Sequence, residues 1–275
     1  MRDIGIYSYF GYPLPFNERL EMIKNAGFEV TSIGLGEEEE FVRDGQKDLM
    51  PELVRLKGLC IEYVHAPDGA CNNLWSASER KRAEIKEEYS SCIAFCKKHL
   101  VPILVIHVSK SKGDQPPPPS RYGLAIIQDL VKYAEDSNVK IAIENTQKPS
   151  YMHFIFSNID SPCLGFCYDS SHDFLYSPQP GLLLKRWGHV LFATHISDND
   201  GLFDRHWLPK EGTIQWDIMK NNFPLATYNG FLTLEIFPKD PKSETASEFL
   251  RKAYGSIKWV ESMLKKERRE PSPGI

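Results

Sequence analysis

The sequence predicts an α/β chain folded as a (β/α)8 barrel, and two observations carry that expectation. Eight short apolar, strand-like runs alternate with helical runs along nearly the whole chain, at intervals of about 25–40 residues, the period and total size of that fold. Six of the eight runs stop on a histidine or a carboxylate: His65, His107, Glu144, Asp169, His195 and Glu235. A closed barrel opens every strand's C-terminal end onto one face, so such residues meet there. The competing architecture, a doubly wound sheet, forms its crevice only at the switch point and would not gather residues from strands three to eight.

In order, Ile4–Tyr9 reads as strand one, and Phe16–Ala26 as a helix closed by Gly27. Glu29–Leu35 is strand two, followed by the block Glu37–Glu40. That block reads first as a solvated loop, because adjacent like charges resist burial, and it would repel a DNA backbone at that rim. Asp48–Leu59 is a helix with Pro51 in its first turn. Cys60–Val64 is strand three, and Asp68–Trp75 a loop. Ser78–His99 is a long helix with Ile85, Tyr89, Ile93 and Phe95 among charged positions. Val101–Ile106 is strand four. Lys110–Ser120 contains Pro116–Pro119, a loop stiffened into polyproline geometry and a weak signal for docking an aromatic-lined domain.

Tyr122–Asp136 is the next helix, Val139–Ile143 strand five, and Tyr151–Asn158 a short helix. Leu164–Tyr168 is strand six, with His172 in the loop beyond it. Leu182–Trp187 is helical, Val190–Thr194 is strand seven, and Asp204-Arg205-His206 lies in the loop that follows. Trp216–Asn222 is a helix, Phe231–Leu234 strand eight, and Thr245–Leu264 the closing helix. The barrel thus spans residues 1–264 as one domain, and 265–275, charged and proline-bearing, reads as a solvated or disordered tail.

At 275 residues, with 41% apolar and 25% charged residues, the composition is that of an ordinary globular protein. A formal charge of −4 and a pI near 6.1 give no support to nonspecific duplex binding. The six cysteines include no C-x-x-C, and their spacing fits reduced thiols better than a disulfide framework. No apolar run has membrane-span length and no signal segment leads the chain, so a cytoplasmic location is expected.

Glu144 and Glu235 end the fully apolar stretches I-A-I-E and L-T-L-E. An ionised carboxylate there needs a cation or dense hydrogen-bond donors. With Asp169 and His195 they make three carboxylates and an imidazole at one mouth, whose mutual repulsion a divalent cation relieves. That mixed oxygen and nitrogen set suits Mn2+, Zn2+, Co2+ or Fe2+. If extended, Asp204-Arg205-His206 points Asp204 and His206 the same way; with His172 they form a second candidate cluster. His65, His107 and a shared Glu144 form a third. Asn145 is a candidate donor to substrate or to Glu144, Arg205 a cation for an anionic substrate group, and Phe10, Trp75 and Trp207 candidate apolar walls. Asp198 and Lys210-Glu211-Gly212 shape the rim.

These motifs carry a resemblance. V-H-A-P at 64–67, I-H at 106–107, I-E-N at 143–145, C-Y-D-S-S-H at 167–172, H-I-S-D at 195–198, D-R-H at 204–206 with K-E-G at 210–212, and L-E at 234–235 resemble the xylose-isomerase-like TIM-barrel superfamily. That superfamily, also called AP endonuclease family 2, holds sugar-phosphate isomerases and epimerases as well as endonuclease IV. The epimerase branch implies one divalent ion held by Glu144, Asp169, His195 and Glu235, with His172 on the substrate and His65 and His107 beside it. The endonuclease IV branch implies up to three zinc ions: one on His65, His107 and Glu144, one on Glu144, Asp169, His195 and Glu235, one on His172, Asp204 and His206. Glu37–Glu40, where that nuclease presents basic DNA contacts, and short stretches between Glu144 and Asp169 and between His172 and His195 oppose the nuclease reading. The resemblance implies isomerisation or epimerisation of a small sugar, sugar phosphate or polyol, with Glu144 and Glu235 moving a proton through an enediolate. The alternative is a multi-zinc phosphoester hydrolase. The expected cofactor is Mn2+, Zn2+ or Co2+ with no organic cofactor, and the expected partner a small carbohydrate rather than duplex DNA or a membrane.

Overall fold

The computed structural model describes residues 4–36, 46–111 and 115–265. The Glu37–Glu40 block and the 266–275 segment lie outside the described residues. Eight strands form one sheet: β1 Ile4–Tyr7, β2 Val30–Gly34, β3 Cys60–His65, β4 Ile103–Ile106, β5 Lys140–Glu144, β6 Leu164–Asp169, β7 Leu191–His195 and β8 Leu232–Leu234. Their order is β7-β6-β5-β4-β3-β2-β1-β8, and every pairing is parallel. No reversal of order occurs, so the doubly wound alternative is excluded.

Closure between β7 and β8 is slender. A parallel bridge joins Ile196 to Leu234, and the Ile196 N–H donates to Thr233 O at 2.8 Å. Thr194 extends the seam with its side chain: Oγ1 accepts from the Thr233 N–H at 3.1 Å and donates to Phe231 O at 3.3 Å. A hydroxyl here does the work of a missing backbone rung.

Helices cover the outer face of the sheet, and their ends follow the local chemistry. Ser78 caps Glu79–Lys98 by accepting from the Lys81 N–H, and Ser120 caps Arg121–Ser137 by accepting from the Gly123 N–H. Asn138 ends the latter helix in the left-handed region, φ 55°. Thr245 and Glu248 exchange hydrogen bonds at the start of Ala246–Lys265, the reciprocal capping arrangement. The segment expected to be loop over Asp68–Trp75 ends in a 3-10 turn, Cys71–Trp75. Trp75 and Phe10 are buried in the core under the helices, so neither walls the pocket. Pro116 is buried, and the Tyr151 hydroxyl points at the Pro116 and Pro117 carbonyls, 3.1 and 2.7 Å away. The proline run therefore packs on its own chain. All six cysteines are free thiols.

A second, small apolar cluster joins Tyr7, Tyr63, Val105, Ala142, Cys167 and Ala193. Five of these stand two positions before His65, His107, Glu144, Asp169 and His195. Because alternate strand residues share a face, the same alternation that fills the barrel interior aims the mouth residues inward. Register shifts in β3 and β7 interrupt it. In β3 the shift buries Glu62 beside Tyr63, and Thr233 of the non-neighbouring β8 donates to the Glu62 carboxylate across the interior. Gly5, paired with Thr233, leaves room for this: a Cβ there would stand 2.5 Å from Thr233 Oγ1.

Burial pushes the Glu62 carboxyl up to about 8, against the Thr233 hydrogen bond and the His195 charge. Its neutral form is thus favoured in the folded state. Its contribution to stability is full below the unfolded value, near 4.5, and falls by at most about 1.4 kcal/mol per pH unit until it levels off above about 8. Urea midpoints of wild type and Glu62→Gln at pH 5 and pH 8.5 should show the variant gaining on the wild type as pH rises. Parallel pH dependences would refute this account of Glu62.

Candidate metal centre

The strand ends at the barrel mouth are pinned from outside. The Tyr89 hydroxyl, on the helix Glu79–Lys98, donates to His107 O at 2.7 Å, and Trp75 Nε1 donates to Val108 O at 2.6 Å. Between β5 and β6, Asn145 works in both directions. Its Nδ2 donates to Asp169 O at 2.9 Å, and its Oδ1 accepts from the Asp169 N–H at 2.8 Å. That amide, expected to face substrate or Glu144, is instead taken up in fixing the height of Asp169.

Asp169 is both the last residue of β6 and the cap of a helix, Ser170–Tyr176, in a stretch expected to be loop. Its Oδ1 accepts from the His172 N–H at 2.6 Å. The helix turns His172 back over the mouth, where Nδ1 lies 2.8 Å from Asn145 O and 3.0 Å from Glu144 Oε1. After β7, Asp198 knots the returning loop by accepting from the N–H groups of Asn199, Lys210 and Ile214 and from Trp216 Nε1. Gly212 passes so close to Asn199 O and the Asp198 carboxylate that a Cβ would collide with both. Asp198 and the K-E-G stretch do shape the rim.

Glu144 is the hub. His65 Nε2 (3.2 Å), His107 Nε2 (3.0 Å) and His195 Nδ1 (3.1 Å) face its Oε2. His195 Nδ1 also lies 2.9 Å from Glu235 Oε2. Burial alone would raise Glu144, but His107 and His195, with hydrogen bonds from His107 and His172, outweigh it and hold the carboxyl well below its ordinary value. Glu235 is half-buried, and against the desolvation that raises it His195 above all holds it at about 2. Burial would lower both imidazoles, but Cys167, Tyr63, Glu235 and Glu144 push His195 well above the usual range, and Asp169, Asp204 and Glu144 do the same for His172.

Asp169 is the exception. Burial, with Glu144, Asp204 and Glu235 nearby, lifts it to about 7 although His172 opposes the shift. Its Oδ2 is fully buried without a hydrogen-bond partner. An ionised oxygen in that position carries a penalty of several kcal/mol unless a cation meets it. Among the described residues two groups offer ligand atoms that all lie within 4.8 Å of one another: Glu144, Asp169, His195 and Glu235, and His65, Glu144 and His195. Ligands about 2.0–2.2 Å from a cation stand at most about 4.4 Å apart, so the four-residue set needs only a small contraction. Three oxygens and one nitrogen suit Zn2+, Mn2+ or Co2+. The two groups share Glu144 and His195, and only the larger includes Asp169, the residue with the orphaned oxygen.

The clusters expected from His65, His107 and Glu144 and from His172, Asp204 and His206 do come together in space. Asp204 Oδ2 lies 2.9 Å from His172 Nε2 and 3.1 Å from His206 Nε2, and Oδ1 accepts from the Ser171 hydroxyl at 2.6 Å. Burial opposes its ionisation, but His172 and His206 hold Asp204 well below its ordinary value. His206 is not extended: its φ is 52°, and a turn rather than strand alternation brings it beside Asp204. Arg205 pairs with Asp200 at 2.7 Å.

His65, His107, Glu144, His172, Asp204, His206 and Glu235 line a cavity of about 1350 Å³, whose aromatic walls are Tyr7, Tyr176, Phe203 and Phe237. Trp207 sits off this wall with Lys239 over its ring. No helix of the described residues is long and apolar enough to cross a membrane.

A family model described as a xylose isomerase-like TIM barrel matches residues 20–253. The Sinorhizobium fredii protein y4fM, itself uncharacterised, is 32% identical over 146 residues, 51% of this chain and 47% of that protein. The chain therefore spans about half the length of the curated relative it matches. Among solved structures, a D-tagatose 3-epimerase-like protein superposes with a TM-score of 0.75 at 20% identity, covering 96% of this chain and 98% of its own. The IOLI protein with a binding zinc atom gives 0.76 at 19% identity, covering 97% and 100%. Identities this low speak for the fold.

Divalent metal at 100 times its Kd stabilises a folded protein by about 2.7 kcal/mol, or roughly 5–10 °C in melting midpoint for a chain of this size. Thermal unfolding of chelator-stripped protein with added Mn2+, Zn2+ or Co2+ should show that shift. Asp169→Asn keeps a helix cap and Glu235→Gln keeps the side-chain shape, so both should fold and both should lose most of the shift.

Proposed function

The chain belongs to the xylose-isomerase-like TIM-barrel family, and from that premise we propose that it is a divalent-metal-dependent isomerase or epimerase of a small sugar, sugar phosphate or polyol. The observation that carries the reading is the placing of Glu144 and Glu235. They close strands β5 and β8, which are not neighbours in the sheet, and both line the same cavity within the four-residue metal group. A substrate seated between them meets a carboxylate from each side.

A divalent ion held by Glu144, Asp169, His195 and Glu235 would polarise a substrate carbonyl and acidify the proton on the neighbouring carbon. One glutamate takes that proton and leaves an enediolate. The other, after taking up a proton from solvent, delivers it to the opposite face, or to the adjacent carbon, which separates epimerisation from isomerisation. His172, which lines the cavity, would hold a substrate oxygen through Nε2 once substrate takes the place of Asp204 there. The aromatic walls suit the C–H faces of a sugar and help exclude water. The D-tagatose 3-epimerase-like relative and the zinc-binding one agree with a small ketose and a divalent ion. The phosphoester hydrolase reading has less support, since the Asp204 group is already satisfied by two imidazoles and a hydroxyl and is not among the convergent ligand sets.

Incubation with a panel of ketoses, aldoses and inososes in D2O with Mn2+ or Co2+ tests the proposal. Metal-dependent deuterium uptake next to the carbonyl is expected, falling by roughly 10²–10⁴-fold in Glu144→Gln and Glu235→Gln, the usual size of a lost acid–base contribution. No uptake on any substrate, with metal-dependent release of phosphate from phosphoesters, would move the chain to the hydrolases.

A further inference from the structure

Two loops climb side by side from the hub of the metal centre. β4 and β5 pair in register through Ile106 and Ile143. The next residues, His107 and Glu144, face each other, with His107 Nε2 3.0 Å from Glu144 Oε2. Two positions further along both chains, the Ser109 and Thr146 hydroxyls are 3.0 Å apart. At the next level the Ser111 N–H donates to Gln147 Oε1 at 3.3 Å. Asn72 holds this ladder from outside: its Nδ2 donates to Lys110 O at 2.7 Å, and its Oδ1 accepts from the Lys110 N–H at 2.9 Å. The top rung therefore sets Ser111 against Gln147-Lys148, at the same height above His107 and Glu144.

Charge at that level is unmatched. Among the described residues, the lysines and arginine that line the cavity are Lys110, Lys148 and Arg205. Lys110 contacts the Asp68 carboxylate, and Arg205 Nε pairs with Asp200 Oδ2 at 2.7 Å. Lys148 is half-buried, and its ammonium has no ion pair or hydrogen bond among the described residues. Nor is it needed to balance the cavity's carboxylates: Lys110 faces Asp68, and imidazoles face Glu144, Asp204 and Glu235. Beside it, Ser111 Oγ is buried without a hydrogen-bond partner, on a residue that lines the same cavity. An ammonium partly stripped of water and an unpaired hydroxyl both gain from an oxyanion.

We propose that Lys148 and Ser111 form a phosphate subsite, and that the substrate is a sugar phosphate whose phosphate lies at the end of the chain away from the metal-held carbonyl. The inference rests on the isomerase reading and narrows its substrate class. From Glu144 to Lys148 the backbone spans at most about 14 Å, a gap that a five- or six-carbon sugar phosphate and a lysine side chain close between them. A phosphate presents three diverging acceptor oxygens, so one can meet the ammonium while another meets the Ser111 hydroxyl. A carboxylate, with two coplanar oxygens, suits the planar fork of an arginine better than the point charge of a lysine. A free sugar brings only neutral hydroxyls and leaves Lys148 unmatched.

Inorganic phosphate, titrated calorimetrically into the Mn2+-loaded protein, is the first probe. Lys148→Gln should weaken its binding about 10–100-fold, the worth of a hydrogen bond to a charged group. Lys148→Arg should keep most of the affinity, and Ser111→Ala should lose less than Lys148→Gln. Relaxation of the phosphorus nucleus by Mn2+ should place it outside the metal's ligand shell. Affinity unchanged in Lys148→Gln, wherever the phosphorus lies, would overturn the proposal. In the D2O assay a ketose phosphate should exchange with kcat/KM about 10–100-fold above the free ketose, and Lys148→Gln should erase most of that preference, mainly through KM. A preference for the free ketose or for a keto sugar acid would overturn the phosphate assignment. If no sugar of any class exchanges, the isomerase reading fails, while the phosphate titration still decides the subsite.

Discussion

Three carboxylates confined to one buried mouth are the constraint on which the rest of the molecule depends. Glu144 is 2% exposed and Asp169 is fully buried, with Glu235 beside them. Charges this close in a medium of low polarity repel one another by several kcal/mol unless they are neutralised. The chain answers with a ring of imidazoles from β3 and β7, from the helix Ser170–Tyr176 after β6, and from the loops beyond β4 and β7. One oxygen, Asp169 Oδ2, is left without a partner, on a residue that belongs to the four-residue group of convergent ligand atoms.

The barrel makes that concentration of charge affordable by supplying geometry that a single sheet face cannot. Five of the mouth residues stand two positions beyond an interior apolar one and Glu235 two beyond the buried Thr233, so the packing that fills the barrel also aims the ligands. Fixing bonds then come from outside: Tyr89 on His107 O, Asn145 on both backbone groups of Asp169, and Asp198 on the loop that returns past β7. The thin seam between β7 and β8 lies directly below His195 and Glu235, where Thr194 completes the pairing with its hydroxyl.

Much of this was legible in the sequence because strand ends announce themselves. An apolar run that stops on a carboxylate, as I-A-I-E and L-T-L-E do, has few physical explanations, and six such endings imply a shared rim. The convergence of Glu144, Asp169, His195 and Glu235 follows from that reasoning. The helix Ser170–Tyr176 was not legible, since its start depends on Asp169 acting both as strand end and as cap; D-S-S-H following a strand was the available signal. Nor were the shifts in β3 and β7, which place Glu62 in the interior and depend on pairing partners rather than local sequence. Trp75 and Phe10 were misplaced because aromatic residues near a rim look alike whether they face the cavity or the core.

The central claim is that the charge at the mouth is resolved by one divalent ion on Glu144, Asp169, His195 and Glu235. Anomalous X-ray scattering from crystals grown with Zn2+ or Mn2+ tests it most directly. The account predicts a single strong peak within about 2.0–2.2 Å of ligand atoms from all four residues, with Asp169 Oδ2 in the shell. A strongest peak among His172, Asp204 and His206, or no peak touching Asp169, would contradict it.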